Sequence, residues 1–290
     1  MSNNVYEIIK ENVIDQLAHG IVPWRRCYNV SGSGDFCISH RSGEPYSLVN
    51  QFLLKKGGEY WTFKNAIEEG YTIRKGSKAS KVVFWKILKN DDDDTRCIPC
   101  LRYYNVFHES DIEGLPPKPI IGMDEHTRKL RNEEKIAKAS EIVSKYLEQI
   151  NPDLRVAECD TVPCYCHHGN IIKIPERARF TNINLYYSTL FHEIVHSTKD
   201  VLNRGVKYST EQDRAREELV AEIGAAYLCG QSGILIDDVI QDSSSYCAGW
   251  LKSLNDNISN LLWASKRAEE AVSYILGTKF EDIKEDEQKA

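Results

Sequence analysis

The stretch His192-Glu193-Ile194-Val195-His196 decides how the second half of this 290-residue chain is interpreted. In a helix, side chains four positions apart lie on the same face, so the two histidines can offer imidazole nitrogens to one cation. Glu193, beside the first histidine, can hold a water molecule at that cation and accept its proton. The pattern therefore predicts a zinc site of the metallopeptidase kind, with His192 and His196 as ligands and Glu193 as catalytic base.

The third zinc ligand is expected from the next helical stretch, because a catalytic zinc ion needs three protein ligands and one open position. In that stretch, residues 216–222, Glu218 and Glu222 share one face. Glu218 is the predicted ligand, and Glu222 is predicted to orient a ligand histidine from outside. Glu217 is the main alternative for the ligand position. A solvent-exposed helix without metal is the alternative for the whole motif, and the apolar neighbours of the histidines speak against it.

Two other cysteine-rich clusters are weaker candidates for a metal site. Cys97 and Cys100 form only half of a zinc knuckle, since no second pair follows at a usable spacing. The segment Cys164–His168 is richer in ligands, but its close spacing suits a strand and a turn. The nine cysteines of the chain are scattered, and we expect most of them to be free thiols.

Length and composition favour two ordinary globular domains. A hydrophobic fraction of 41% with 28% charged residues suffices for a core in each. No apolar run approaches the roughly 20 residues of a membrane span, and the first residues lack the pattern of a signal peptide. We therefore expect a cytoplasmic protein without a membrane partner.

The proline- and glycine-rich residues 108–127 mark the predicted boundary between a domain at 1–115 and a domain at 124–280. The overall class is predicted to be α+β. Helical periodicity at 4–19 and two shorter helices precede a hairpin in the first domain, which makes it a small α+β domain. The second domain is predicted to be mostly helical with a short β-sheet near residues 154–174.

The hairpin of the first domain is predicted from two strand-like runs, Lys81–Leu88 and Cys97–His108. The acidic residues between them predict a solvated loop across residues 90–95, because four like charges in a row do not pack.

Aromatic and basic residues are interleaved in the first half, and residues 1–90 carry 13 Lys/Arg against 8 Asp/Glu. Flat rings offer stacking surfaces for unpaired bases, and neighbouring cations neutralise phosphates. The alternative is that most of these rings belong to the core. The predicted DNA-binding residues are Trp24, Arg25, Arg26, Tyr46, Asn50, Trp61, Lys64, Arg74, Lys75, Lys78, Trp85, Lys86 and Tyr103.

The order of short motifs along the chain resembles ArdC-type antirestriction proteins and related plasmid primases. In the first half, the resemblance lies in GIVPWRR (20–26), GEPYSLVN (43–50), WTFK (61–64), RKGSK (74–78), VVFWK (82–86) and YYNVF (103–107). In the second half it lies in YYSTLFHEIVHST (186–198), REELVAEIGAAYL (216–228) and the stretch from Tyr246 to Leu276.

The resemblance implies a single-stranded-DNA-binding domain followed by a zincin-like, gluzincin-type metallopeptidase domain. It also implies a protein of plasmids, conjugative elements or phages that protects incoming DNA, with single-stranded DNA and DNA-bound proteins as partners. Two alternatives remain open from the sequence. In one, a non-catalytic protein coats DNA and its zinc site is structural or vestigial. In the other, the first domain of a toxin-like peptidase recognises a protein.

Overall fold

The computed structural model describes residues 2–26, 36–54, 56–90, 93–116, 125–204, 210–234 and 258–278. The first half contains four helices, α1 Ser2–Ala18, α2 Pro23–Arg26, α3 Leu48–Leu53 and α4 Phe63–Glu68. Its six strands are β1 Cys37–Ser39, β2 Gly58–Trp61, β3 Thr72–Ile73, β4 Ser80–Asn90, β5 Asp93–His108 and β6 Ile112–Glu113. The predicted first helix is confirmed: its buried residues Val5, Ile9, Val13 and Leu17 recur every four positions.

A four-stranded sheet in the order β1-β2-β5-β4 forms the centre of the first half. The pair β1–β2 is parallel and the other two pairs are antiparallel, while β3 and β6 form a separate antiparallel pair. The predicted hairpin is β4–β5, but a solvated loop across 90–95 is wrong in extent. The strands pair regularly as far as Lys89 with Cys97, and after a shift of register Asn90 pairs with Asp93, so strand structure extends into the predicted loop.

Two neighbouring amide side chains of α3 bind backbone groups of the sheet strands. Asn50 donates from Nδ2 to the Val83 carbonyl at 2.8 Å and accepts from the Val83 amide at 2.7 Å. Gln51 accepts from the Cys37 amide at 2.8 Å and donates to the Cys37 carbonyl at 2.9 Å. Both side chains are fully buried. Helix α3 therefore satisfies backbone groups of β4 and β1, the two outer strands of the sheet.

The second half is mostly helical, as predicted. Its helices are α5 Glu125–Lys145, which continues as a π-helical turn at Tyr146–Ile150, α6 Ile183–Ser197, α7 Glu211–Ser232 and α8 Ser259–Leu276. A three-stranded sheet in the order β7-β9-β8 comprises β7 Arg155–Glu158, β8 Cys164–Cys166 and β9 Ile171–Ile174. Part of the sequence with family resemblance, residues 246–257, lies outside the described residues. Helices and small sheets coexist in both halves, so the predicted α+β class is confirmed.

One hydrophobic core extends through both halves of the chain. It includes Val5 and Leu17 of α1, Phe52 of α3, Phe191 of α6 and Val272 of α8. A polar contact crosses the same region: the Leu48 amide at the start of α3 donates to the Glu269 carboxylate of α8 at 2.7 Å. Helices α2 and α3 therefore pack on helices of the second half, and α1 packs on α2, α3 and β5. The sheet of the first half has a core cluster of its own. The domain limits at 1–115 and 124–280 stay a prediction.

Across the described residues, no helix combines the length and the apolar character needed to cross a membrane.

Replacing Asn50 by alanine is expected to destabilise the protein by about 2–4 kcal/mol, because each buried backbone group left without a partner costs about 1–3 kcal/mol. The measurement is the free energy of unfolding from urea titration. The control is Asn105→Ala, at an exposed asparagine of β5, where a change within about 0.5 kcal/mol is expected. Equal effects of the two substitutions would contradict the role of Asn50 as the hydrogen-bond partner of the Val83 backbone.

Candidate metal centre

Helix α6 presents His192 and His196 from a buried scaffold. The helix begins after Asn182, whose side chain accepts a hydrogen bond from the Leu185 amide at 2.8 Å and so caps the first turn. Phe191, Ile194 and Val195 are completely buried around the histidines. The imidazoles therefore stand on a helix whose position is fixed by core packing.

The side chains of His192, His196 and Glu218 converge on one point. The two Nε2 atoms are 3.1 Å apart, and the Glu218 carboxylate oxygens lie 3.3 Å from His192 Nε2 and 3.6 Å from His196 Nε2. Donors around a tetrahedral ion with bonds of about 2.0–2.1 Å are separated by roughly 3.3 Å. Within the described residues, these three form the one group of three or more potential ligands close enough to share an ion. The donor set and its spacing fit a divalent metal.

Glu217, the alternative ligand of the sequence analysis, points away from this cluster and is paired with Arg204. The guanidinium of Arg204 donates to both Glu217 oxygens, at 2.9 and 3.3 Å, and both side chains are buried. Glu217 Oε1 also lies 3.5 Å from His196 Nδ1, the ring nitrogen opposite to the converging Nε2. The contact that orients His196 from outside thus comes from Glu217. Glu222 was predicted for such a contact and keeps that role only as a prediction.

Arg204 also ties the end of α6 to α7. Its guanidinium donates to the Val195 carbonyl at 2.8 Å and to the Thr198 hydroxyl at 2.6 Å, in addition to Glu217. The Val195 carbonyl, near the end of the helix, also accepts from the Thr198 amide and hydroxyl, so Arg204 joins a group of hydrogen bonds that ends α6. Arg204 was not among the predicted site residues, because a single arginine in a connecting segment carries no local signal of burial.

The carboxylates around His196 favour its protonated form. Burial disfavours the charge, but Glu217 and Glu218 outweigh burial and raise the pKa of His196 to about 9. Contacts with His192 and His196 hold the pKa of the Glu218 carboxyl well below its usual range. Burial opposes ionisation of Glu217, yet its contacts with His196 and Arg204 lower its pKa as well. The centre thus holds anionic carboxylates beside histidine, a charge balance that suits a cation.

Glu193 lies beside the cluster and is 6% exposed. Burial raises the pKa of its carboxyl, against the opposing effect of the two histidines and of the nearby backbone amide of Tyr165 in β8. A carboxylate with a raised pKa is a stronger base than a solvated one. Strand β8 is thus a third element of the site, after α6 and α7, and the sequence pattern alone does not indicate it.

Close packing of α6 against α7 brings Glu218 to the histidines. A Cβ atom at Gly224 would lie 2.8 Å from Val195 Cγ2 and 3.1 Å from Val195 Cγ1, closer than packed carbon atoms approach. The absent side chain at Gly224 therefore lets the two helices come together. Since Val195 lies within the histidine motif itself, this contact sets the distance between the motif and Glu218.

Four of the predicted DNA-binding residues are buried in the first half, which corrects their assignment. Trp24 and Asn50 have no exposed surface, and Tyr46 and Trp61 are 4% and 2% exposed. Trp24 packs edge-to-face on Phe52, and Asn50 holds β4. Rings and amides enclosed in this way cannot stack on bases or reach phosphates, so the alternative of core residues applies to these four.

The exposed members of the predicted set cluster around the start of β4. Arg74, Lys75 and Lys78 are exposed along the segment that leads into this strand, and Lys64 on α4 is exposed as well. Tyr103 of β5 is 40% exposed, and the Lys81 ammonium lies 5.2 Å from its ring centroid. Lys81 was absent from the predicted set. The side chains of Arg25, Arg26, Trp85 and Lys86 lie outside the described part of the structure.

Two protein-family models match the chain. The model for the N-terminal domain of the anti-restriction factor ArdC matches residues 3–107, and the model for a zincin-like metallopeptidase matches residues 141–267. A crystal structure of the antirestriction protein ArdC from plasmid R388, in metal-free form, superposes with a TM-score of 0.71 at 24% identity over 95% of this chain and 99% of that chain. The chain is an ArdC-like protein.

The Mn(II)-bound structure of R388 ArdC gives a TM-score of 0.70 at 25% identity, over 94% of the ArdC-like chain and 97% of the R388 chain. DNA primase TraC of Escherichia coli is 25% identical over 97% of the ArdC-like chain. The ArdC-like chain spans only 28% of the length of that primase. The uncharacterized protein y4eC of Sinorhizobium fredii is 22% identical, over 94% of the ArdC-like chain and 91% of its own length.

Paired substitutions distinguish the roles of the adjacent glutamates. Glu218→Gln is expected to weaken zinc binding by more than ~100-fold, because an outer contact alone is worth about 10–100-fold. It should change the unfolding free energy of the metal-free protein by less than about 1 kcal/mol, since the side chain is largely exposed. Glu217→Gln is expected to lower that free energy by about 3–5 kcal/mol, because the Arg204 charge stays buried without a counter-ion.

The measurements are competition against a chelating zinc indicator and urea unfolding of the metal-free protein. If Glu217→Gln weakened zinc binding and Glu218→Gln lowered the unfolding free energy, Glu217 would be the metal ligand and the assignment of Glu218 would be wrong.

Proposed function

We propose that the ArdC-like chain is a single-stranded-DNA-binding protein with a tethered zinc metallopeptidase site, acting in antirestriction or protection of incoming mobile-element DNA. The observation that carries the proposal is the convergence of His192, His196 and Glu218 within 4.8 Å, beside the largely buried carboxylate of Glu193. A structural metal site needs four protein ligands, whereas three ligands and an adjacent base are the arrangement of hydrolytic zinc enzymes.

The residues of the site divide the work of peptide hydrolysis. A divalent ion held by His192, His196 and Glu218 would supply Lewis-acid polarisation of a carbonyl and lower the pKa of water. Glu193 takes a proton from the attacking water onto its carboxylate and delivers it to the leaving amine. The nearby Tyr165 amide favours the charged form of that carboxylate. Glu217 and Arg204 fix the His196 ring from the buried side.

Zinc is the metal we propose, since two imidazoles and one carboxylate are a common ligand set for hydrolytic zinc. The Mn(II)-bound form of the similar R388 protein fits the same donors, because imidazole and carboxylate also accept manganese. In the divalent series, such a set binds zinc more tightly than manganese.

The DNA-binding part of the proposal concerns the surface made of Arg74, Lys75, Lys78, Lys81 and Tyr103, the basic surface below. Its four cations are exposed within eight residues of chain, and Tyr103 presents an exposed ring beside Lys81. Cations that follow a strand backbone, next to a ring on which bases can stack, suit single strands of any sequence. A tether between this surface and the metal centre raises the concentration of DNA-bound protein substrates near Glu193.

Glu193→Gln is expected to lower cleavage of fluorescent casein in the presence of a single-stranded oligonucleotide by about 10²–10⁴-fold, because the substitution removes the general base. Zinc content and oligonucleotide affinity should stay unchanged. The matched control is Glu148→Gln, an exposed glutamate distant in sequence from the histidine motif, which should retain full cleavage.

The same variant separates the proposal from the coating alternative. Glu193→Gln is expected to lose protection of an unmodified plasmid during conjugation into a restricting host. If this variant protects the plasmid as well as the wild type does, protection comes from coating DNA and the metal site does not contribute.

Single-strand binding by the basic surface is tested by fluorescence anisotropy at several salt concentrations. Lys75→Ala combined with Lys78→Ala is expected to reduce the slope of log affinity against log salt by about 1.4, at roughly 0.7 for each phosphate contact. The control pair is Lys138→Ala with Lys145→Ala, on α5, which should leave the slope unchanged.

Tyr103→Ala should cost about 1–3 kcal/mol of binding, whereas Tyr103→Phe keeps the stacking ring. If oligonucleotide binding did not depend on salt, the cations would not contact phosphates. That result would favour the alternative in which the first domain recognises a protein.

A further inference from the structure

Strand β8, beside the metal centre, carries two cysteines on one face. Cys164 and Cys166 flank Tyr165, and their sulfur atoms are 3.7 Å apart. Both side chains are partly exposed, and both are free thiols. Alternate residues of a strand point to the same side, which explains why the two thiols meet. In the predicted chemistry of the site neither thiol has a role, since the three ligands come from α6 and α7.

The geometry of the pair is within reach of a disulfide. Residues two apart in a strand have Cα atoms about 6.4–6.8 Å apart, and disulfides span about 4.4–6.8 Å between Cα atoms. The sulfur atoms must approach from 3.7 Å to about 2.05 Å. Because the Cα separation of an extended strand lies at the upper end of the disulfide range, closing the bond favours a slightly shorter strand around Tyr165.

Strand β8 is free to shorten because it lies at the edge of its sheet. In the order β7-β9-β8 it pairs on one side only, through Cys164 with Lys173, Tyr165 with Ile172 and Cys166 with Ile171. Tyr165 itself is anchored. Its ring packs against the hydrophobic core, and its hydroxyl donates to the Asn170 side chain at 3.1 Å.

We propose that Cys164 and Cys166 form a reversible intrachain disulfide, which makes β8 an oxidation site beside the metal centre. The oxidant is of the hydroperoxide class. Two S–H bonds break and one S–S bond forms, so the thiols together lose two electrons and two protons. Hydrogen peroxide takes up both electrons and both protons as its O–O bond breaks, giving two water molecules.

The disulfide acts on Glu193 through the residue between the cysteines. The backbone amide of Tyr165 lies near enough to the Glu193 carboxylate to lower the pKa of that carboxyl, and shortening β8 around Tyr165 moves this amide. Oxidation therefore displaces Glu193 and leaves His192, His196 and Glu218 in place. This consequence rests on the proposed peptidase function, whereas formation of the disulfide does not.

The test uses the full-length protein and hydrogen peroxide. Burial, followed by the neighbouring Cys166, raises the pKa of the Cys164 thiol, so the reaction is run at alkaline pH to increase the thiolate fraction. Trypsin then releases residues 156–173, which contain Cys159, Cys164 and Cys166. Peptide mass spectrometry is expected to show the loss of two hydrogen atoms, and further cleavage after Tyr165 should leave the two fragments joined.

Matched cysteine variants identify the pair. Cys166→Ser is expected to lose the oxidised peptide completely, whereas Cys159→Ser should form it as the wild type does. If Cys166→Ser still loses two hydrogen atoms, the bond joins Cys159 to Cys164 and the proposal is overturned. The proposal is also overturned if Cys164 and Cys166 remain fully open to alkylation after peroxide treatment.

Activity and metal content provide the second readout. The oxidised protein is expected to keep its zinc and lose casein cleavage, with recovery on reduction by dithiothreitol, and Cys166→Ser should keep its activity in peroxide. Full activity of the oxidised protein would overturn the link to Glu193. If the reduced protein never cleaves casein, the peptidase function fails, while the peptide masses still decide the existence of the disulfide.

Discussion

The close contact between α6 and α7 is the constraint on which the metal centre depends. The three proposed ligands come from two helices, and the side chains of histidine and glutamate extend only a few ångströms from the backbone. The helices therefore have to approach so closely that position 224 has no room for a methyl group against Val195. The packing residue and the ligand histidines belong to the same five-residue motif, so the motif encodes both the chemistry and the distance to its partner helix.

A buried ion pair supports this contact from behind. Arg204 donates two hydrogen bonds to the Glu217 carboxylate away from solvent, and it also donates to the Val195 carbonyl at the end of α6. A buried pair contributes little net stability compared with apolar packing, but breaking it is costly. Its value here is geometric. It joins the segment after α6 to the carboxylate that faces the outer nitrogen of His196, and so ring orientation and helix packing are determined together.

The sequence predicts elements whose signal is local and periodic. The four-residue spacing of the histidines, the apolar face of α1 and the strand runs of β4 and β5 are readable from neighbours along the chain. The roles of Trp24, Tyr46 and Trp61 are not, because an aromatic next to cations has the same pattern on a surface and in a core. Arg204 and the Tyr165 amide also escape prediction, since their partners lie 13 and 28 positions away in sequence and only the fold brings them together.

The carboxylate of Glu269 at the start of α3 has a consequence for how such proteins diversify. Helix α3 carries the amides that finish the first sheet, yet its own first turn is satisfied by a residue 221 positions later in the chain. If recombination joined this first half to an unrelated second half, the Leu48 amide would lose its hydrogen-bond partner and one face of the helices would be exposed. The two halves are thus constrained to be exchanged together, or the contact between them has to evolve again.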